Sequence, residues 1–453
     1  MSVVIVPVGF DMGPVYAEDG PADRTPIRYE VHLGGGPTDL TAIEYTAWRA
    51  AFADSAAHAK LEVDRARLER YLREEGHEPA GRIADPAPVV TALLEQDLLL
   101  EFDSDGDDLE EVFGVRRLYP RAEGMDSRED EPSYHDIGFD DQALCAVQPN
   151  AYTAWSFGLT EATLWGACEM VAEIADSDLQ PGQDPVTLTT LDVAKDVANS
   201  LPLLLSTKAA FLDLLNYELS RIIEPMPFPP RDRLVSPTGK PPVIVPVGLR
   251  LGYEFFEVDP AGWDDERLRV HFGDRLLELP DDEAVVWSAA FDDPLRHAEH
   301  GVTRASLEDD LRDHPLVGDP ADVVDRLLDR GLLAEFEPVD GPLEELFRSV
   351  QLYPLGEGLG NSPDDPTMYR IGNRGETWLA VPPEVYLIWS YSLTGRSLWS
   401  ACADLAEGYD EDLRPGEVPA GFSADEFARD VAAVLPALIA TRCAFIDPLN
   451  YFL

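Results

Sequence analysis

The sequence predicts a mixed α/β, helix-rich fold built from four winged helix-turn-helix units, arranged as two pseudo-equivalent halves. Three observations predict it: the two halves repeat the same segments in the same order, each half contains two aromatic-rich helical segments, and each of those leads through further helices to a short apolar strand. Apolar residues make up 45% of the 453 residues, enough to form well-buried cores.

The duplication is clearest where long segments recur. VIVPVGFDMG from Val4 returns as VIVPVGLRLG from Val243, and DPAPVVTALLEQDLLLEF from Asp85 returns as DPADVVDRLLDRGLLAEF from Asp319. Between the halves lies a segment rich in proline and arginine, a composition typical of an extended linker. We therefore predict a first half at 1–217 (units 1–120 and 121–217), a linker at 218–240, and a second half at 241–453 (units 241–354 and 355–453).

A second level of repetition divides each half into two units. The motif YTAW begins at Tyr45 and again at Tyr152, each time at the start of a predicted helix. Each unit ends on an apolar helix followed by a short strand, as in VVDRLLDRGLLAEF, where Gly331 suits the helix C-cap. The leading segments VVIVPVGF and PVIVPVGL contain a proline after an apolar run, which predicts additional strands at sheet edges.

The last unit carries a family resemblance. IWSYSLTGRSLWSACADLAEGY, with FARDVAAVLPALIATRCAFID, resembles the PqqD-like winged-helix fold, also called the RiPP recognition element. The matching positions are Ile388, Trp389, Leu393, Gly395, Ser397, Leu398, Cys402, Leu405, Val431, Leu435 and Leu438. The first-half counterpart has Glu161 where Gly395 stands and retains Trp155, Leu159, Leu164, Cys168, Val171 and Leu201.

The resemblance implies a non-enzymatic adaptor that binds a peptide or protein. In that family a leader peptide adds a strand to the edge of the wing, held by main-chain hydrogen bonds and apolar pockets. The wing-bearing segments here would be LLLEFD, AAFLDL, LLAEFE and CAFIDP, whose edges are either free or buried against neighbouring units. The candidate partner-binding residues on these strands are Phe102, Phe211, Phe336 and Phe445.

The net charge of the chain indicates which classes of partner it can bind. The formal net charge is −51, from Asp+Glu 86 against Lys+Arg 35, and such a surface repels nucleic-acid phosphates and anionic membranes. The candidate recognition helices LWGACEMVAEIAD and LWSACADLAEGYDED contain no Lys or Arg. We expect a basic or neutral protein or peptide partner, no direct nucleic-acid binding and no membrane contact. The alternatives are an acidic tandem winged-helix subunit of the kleisin-binding kind, a transcription regulator or a DNA mimic.

No motif in the sequence indicates catalytic chemistry, so we predict no enzyme activity and no catalytic, cofactor-binding or metal-binding residues. His297 and His300 stand three residues apart, but a zinc site needs at least one further ligand. The four cysteines lie in apolar contexts without a CxxC pair, which favours reduced core residues and a cytoplasmic location. The tryptophans at repeat-equivalent positions are predicted to lie in the core: Trp48, Trp155, Trp165, Trp287, Trp389 and Trp399.

Overall fold

The computed structural model describes residues 3–17, 25–125, 133–139, 142–177, 188–215, 242–254, 267–291, 301–339, 341–393, 397–411 and 423–449. The predicted linker at 218–240 lies outside them. The chain forms two compact units. Unit 1 comprises Met1–Ser220 together with Glu357–Pro366, and unit 2 comprises Arg221–Gly356 together with Thr367–Phe452.

The described part of the chain is a mixed α/β structure of helices and small antiparallel sheets. The first half contains β1 Val3–Pro7, β2 Phe10–Val15, β3 Arg28–Leu33, β4 Gly36–Leu40, α1 Ala42–Ala50, α2 Ser55–His58, α3 Arg65–Glu74, α4 Ala87–Glu95, β5 Leu99–Asp103, α5 Leu109–Phe113, β6 Arg116–Pro120, β7 Glu123–Gly124, β8 His135–Phe139, β9 Gln142–Val147, α6 Pro149–Phe157, α7 Leu164–Ser177, α8 Thr190–Ser206 and β10 Ala210–Leu214.

The second half repeats this order of elements except for α2, whose equivalent positions lie outside the described residues. It contains β11 Val243–Pro246, β12 Leu249–Glu254, β13 Arg267–Phe272, β14 Arg275–Leu279, α9 Asp281–Ala289, α10 Arg304–Asp310, α11 Pro320–Asp329, β15 Leu333–Phe336, α12 Leu343–Ser349, β16 Val350–Pro354, β17 Glu357–Asn361, β18 Tyr369–Asn373, β19 Glu376–Val381, α13 Pro383–Tyr391, α14 Leu398–Glu411, α15 Ala424–Ala440 and β20 Ala444–Pro448. The helices predicted at YTAW are α1 and α6.

The strands pair in a repeated pattern. In unit 1, β1 pairs with β5 and β6 with β10, while β2–β3–β4 and β7–β8–β9 form antiparallel meanders. In unit 2, β11 pairs with β15 and β16 with β20, β12–β13–β14 form a meander, and β18 pairs with β19. The predicted leading strands exist as β1 and β11, whereas the meanders were not predicted.

Four equivalent turns join a helix to the strand that follows it. Each turn contains one residue in the left-handed region: Asp97 (φ 56°), Lys208 (φ 62°), Gly331 (φ 77°) and Arg442 (φ 58°). The next residue donates its backbone N–H five residues back into the helix, as in Leu332 N to Leu327 O at 2.9 Å. This bond satisfies an otherwise open helix carbonyl and reverses the chain. The C-cap predicted at Gly331 is Arg330, and Gly331 is the left-handed residue directly after it that ends α11.

Four tryptophans are central to the cores. Trp48, Trp155, Trp287 and Trp389 are fully buried, and each indole N–H donates to a backbone carbonyl. In Trp48 and Trp287 the acceptor is the residue after the leading strand. In Trp155 and Trp389 it is the residue after the left-handed turn. The prediction that these four form cores is confirmed.

The core prediction was wrong for the two other tryptophans. Trp165 and Trp399 are only partly buried. The Trp165 indole N–H donates to Glu169 Oε1 at 3.0 Å, and the Arg348 guanidinium lies 5.6 Å from the Trp399 ring centroid. Both residues are the second of their helix, α7 and α14, where the preceding leucine points inward instead.

One strand of unit 1 comes from the second half of the sequence. β17 lies beside β2, and Asn361 exchanges two hydrogen bonds with the Tyr16 backbone at 2.8 and 3.0 Å. Lys208 forms a buried ion pair with Glu357 at the start of β17. A Cβ on Gly13 would lie 2.6 Å from the Gly360 nitrogen, so glycine is needed where the two strands approach.

Candidate functional site: an acidic groove beside strand β1

The four predicted partner-binding phenylalanines lie on β5, β10, β15 and β20, and their side chains are buried. Phe211 packs against Phe10 and Tyr119, with ring centroids 5.0 and 4.9 Å away. Phe445 stacks on Tyr353 at 5.0 Å, and Phe102 contacts Phe113 at 6.2 Å. Any contact of these strands with a partner would therefore use the backbone or the opposite face, because the rings face the core.

Two of the four wing strands have their second edge occupied by their own unit. The Gly9 N–H donates to the Leu212 carbonyl of β10 at 2.7 Å, and the Gly248 N–H donates to the Ile446 carbonyl of β20 at 2.8 Å. At β10 there is a second hydrogen bond, in which the buried Asp213 carboxylate accepts from the Gly34 N–H at 2.8 Å. These edges are closed to an added strand.

A groove opens beside the sheet formed by β1 and β5. It has a volume of about 620 Å³ and is lined by Val3, Leu61, Glu62, Asp64, Arg65, Ala66, Glu69 and Glu101. These residues come from the start of β1, the turn before α3, the first turns of α3 and the middle of β5. Glu101 belongs to the predicted wing segment LLLEFD, whereas the other lining residues were not predicted.

Strand β1 presents its backbone to this groove. The Ile5 N–H donates to the Val63 carbonyl at 2.9 Å, and the Val8 N–H donates toward β5, to Leu98 O at 2.9 Å. Because backbone groups alternate sides along a strand, odd-numbered residues of β1 point away from β5. The N–H and C=O of Val3 thus face the groove, and Val3 is 43% exposed. Because the Ile5 N–H is bonded to Val63, the open part of this edge is the single residue Val3.

The groove is acidic. Four of its lining residues are carboxylates (Glu62, Asp64, Glu69, Glu101) and one is a cation (Arg65), which leaves a net charge of −3. Arg65 Nε lies 2.8 Å from Glu69, Asp64 caps α3 through the Arg67 N–H at 2.7 Å, and Glu101 is exposed on β5. Glu62 pairs with Arg67 at 2.9 Å and Glu69 with Arg65, so the lining carboxylates without an ion pair among the described residues are Asp64 and Glu101. The Val3 backbone groups beside these two carboxylates can bind an extended chain with basic side chains.

The histidines do not assemble into a catalytic or metal centre in the described residues. His32 and His58 are buried, and desolvation lowers the pKa of each to about 4, which keeps both rings neutral. His271 Nδ1 lies 3.5 Å from Asp447, and burial raises the pKa of that carboxyl. No group of three or more His, Cys, Asp or Glu side chains there could hold a metal. His297 and His300 lie outside the described residues.

The cysteines are buried, and none of the four is joined in a disulfide. Desolvation raises the pKa of the Cys168, Cys402 and Cys443 thiols to about 12, so these thiols stay protonated and unreactive at neutral pH. Over the same described residues, no helix is both long and apolar enough to cross a bilayer.

Comparison with known proteins gave no similarity from which a function could be inferred. No protein-family model matches the chain, and neither a curated protein nor a solved structure matches it significantly.

Proposed function

We propose that this protein is a non-enzymatic adaptor that binds an extended, basic segment of a protein or peptide in the groove beside β1. The observation that carries the proposal is the open backbone edge at Val3 next to a groove of net charge −3. Strand addition at such an edge supplies main-chain hydrogen bonds independent of sequence, and the lining side chains supply the preference for charge.

We propose that the adaptor is built of four PqqD-like winged-helix units. In its support, the order of a leading strand, a meander, helices, a left-handed turn and a closing strand recurs around Asp97, Lys208, Gly331 and Arg442. In each case the closing strand pairs antiparallel with the leading strand. Gly395, a position of the resemblance, lies outside the described residues.

Binding would place an extended segment of the partner against Val3 at the start of β1, because beyond it the Ile5 N–H is already bonded to the Val63 carbonyl. The partner backbone would donate to and accept from Val3, and alternate side chains would reach the groove. Lysine or arginine at those positions would meet Asp64 and Glu101, whereas Glu62 and Glu69 are already paired with Arg67 and Arg65. Partly desolvated pairs of this kind fix register and partner choice more than they add affinity.

Charge argues against duplex DNA as the partner. DNA affinity arises mainly from basic side chains that displace counterions from phosphates. Helices α7 and α14, the candidate recognition helices, contain no Lys or Arg.

A titration with designed peptides tests the proposal. A fluorescein-labelled ten-residue peptide of alternating valine and lysine should bind saturably at about 150 mM salt, where the Debye length is about 8 Å. The same peptide with alternate backbone nitrogens methylated keeps its charge but cannot pair as a strand, and it should bind at least tenfold more weakly.

Two further arms complete the experiment. A valine–glutamate peptide and labelled duplex DNA should not bind under the same conditions. Equal binding of the methylated and unmethylated peptides would show simple charge attraction to an acidic protein. That result, or saturable DNA binding at or below about 1 μM, would refute the proposed function.

A further inference from the structure

We infer that the basic segment binds only to the first half of the chain, and that Pro242 closes the corresponding edge in the second half. The inference rests on the proposed function. It concerns how many sites the protein has, and it follows from comparing each residue of the groove with its counterpart in the duplicated sequence.

The strand edge differs at one residue. Ile5 and Ile244 are equivalent, because each donates its N–H to the residue before the following helix cap, Val63 at 2.9 Å and Val302 at 2.7 Å. Two residues before each isoleucine stand Val3 and Pro242. Proline has no N–H, so the donor that Val3 presents to the groove is missing in unit 2. An added strand would lose a hydrogen bond there.

The charge of the groove differs as well. The counterparts of Glu62 and Asp64 are Gly301 and Thr303, which are uncharged. The remaining counterparts are two carboxylates and one arginine: Glu308, Glu335 and Arg304. The equivalent lining has a formal charge of −1 against −3 in unit 1, where Glu62 and Glu69 are paired with Arg67 and Arg65. Among the described residues, the lining carboxylates that lack an ion pair are Asp64 and Glu101 in unit 1, whereas Glu308 and Glu335 of unit 2 both lie within 4 Å of Arg304.

Arg304 also neutralises Glu335 on the closing strand β15. It lies 3.7 Å from Glu335 and 2.5 Å from Asp325. Glu335 is the counterpart of Glu101, which sits exposed on β5. Arg65, the counterpart of Arg304, instead bonds Glu69 and the Thr91 hydroxyl. In unit 2 the carboxylate on the closing strand is thus already paired with a cation.

The missing edge donor at Pro242 and the pairing of Glu335 with Arg304 both favour a single site in the first half.

Calorimetric titration of the full chain with the valine–lysine peptide tests the inference through stoichiometry. We expect one peptide per chain. Val3→Pro, which copies the residue of the second half, should weaken binding at least tenfold, while Val3→Thr, which keeps the N–H, should stay within twofold. Proline is tolerated at the first residue of an edge strand, and circular dichroism of each variant verifies its fold.

A matched pair of charge variants gives an independent reading. Glu101→Gln should weaken binding about threefold, as for the loss of one exposed charge pair, and Glu335→Gln should leave it unchanged. Two equivalents per chain, or equal effects of the two variants, would overturn the single-site inference alone. Absence of binding to the intact protein would overturn the proposed function and this inference with it.

Discussion

Replacement of Trp389 by alanine tests the packing of the last unit. The indole is fully buried, stands 5.4 Å from the Tyr386 ring centroid and donates to the Cys443 carbonyl at 2.7 Å. A Trp→Ala change in a core costs about 3–5 kcal/mol through lost transfer energy and the remaining cavity. The lost hydrogen bond adds little, because the Cys443 carbonyl keeps the Leu355 N–H at 2.9 Å.

A second variant separates packing from hydrogen bonding. Trp389→Phe removes the N–H but keeps most of the ring, so we expect a loss of about 1–2 kcal/mol. Trp399→Ala, ten residues later and only partly buried, is the matched control and should cost less than about 1 kcal/mol. Trp389→Ala and Trp399→Ala remove the same side chain, so a difference between their unfolding free energies reports the difference in burial.

Native-state hydrogen exchange in urea, followed at peptides from α15, measures these differences. This assay reports a local free energy of opening, which suits a chain of two compact units better than a single unfolding curve does. A cost below about 1 kcal/mol for Trp389→Ala would refute the core assignment. Equal costs for the alanine and phenylalanine variants would show that the hydrogen bond, not the packing, holds the unit together.

Three further outcomes follow from the structure. Gly331→Ala should cost about 1–2 kcal/mol in urea unfolding, because φ is 77°, whereas Gly318→Ala, with open space at its Cβ, should be nearly neutral. Burial raises the pKa of Asp213 to about 7, so the folded state holds this proton more tightly, and stability from this group is lost as pH rises from about 4 to about 7. Asp213→Asn should therefore raise the free energy of unfolding more at pH 8 than at pH 5. A difference between the two proteins that does not change with pH would contradict the raised pKa of Asp213. Lys208→Met should destabilise unit 1 by about 3 kcal/mol in thermal or urea unfolding, because Glu357 loses its buried cation, and Lys208→Met with Glu357→Leu should restore part of the loss. A double variant no more stable than the single one would argue against that coupling.

The sequence was sufficient to predict local elements whose pattern is carried by neighbouring residues. The helices at YTAW, the leading strands before Pro7 and Pro246 and the turn at Gly331 follow from periodicity, proline and glycine alone. The burial of Trp48 and its equivalents also followed, since large aromatic residues on apolar helices are rarely left in water.

The remaining features depend on contacts between distant residues. Neither the addition of β17 to unit 1 nor its ion pair with Lys208 has a local sequence signal. The meanders were missed because β4 and β14 are short and partly polar, with weak alternation. The groove was missed because it joins Val3, the first turns of α3 and Glu101, which are brought together only by the fold.

Photo-cross-linking of a bound peptide tests the central claim most directly. A valine–lysine peptide carrying one diazirine side chain is irradiated on the full-length protein, and the cross-linked fragments are identified by mass spectrometry. The account predicts cross-links to β1, to the first turns of α3 and to β5 around Glu101, all strongly reduced by Val3→Pro. Cross-links that lie elsewhere on the acidic surface, or that persist unchanged in Val3→Pro, would contradict it.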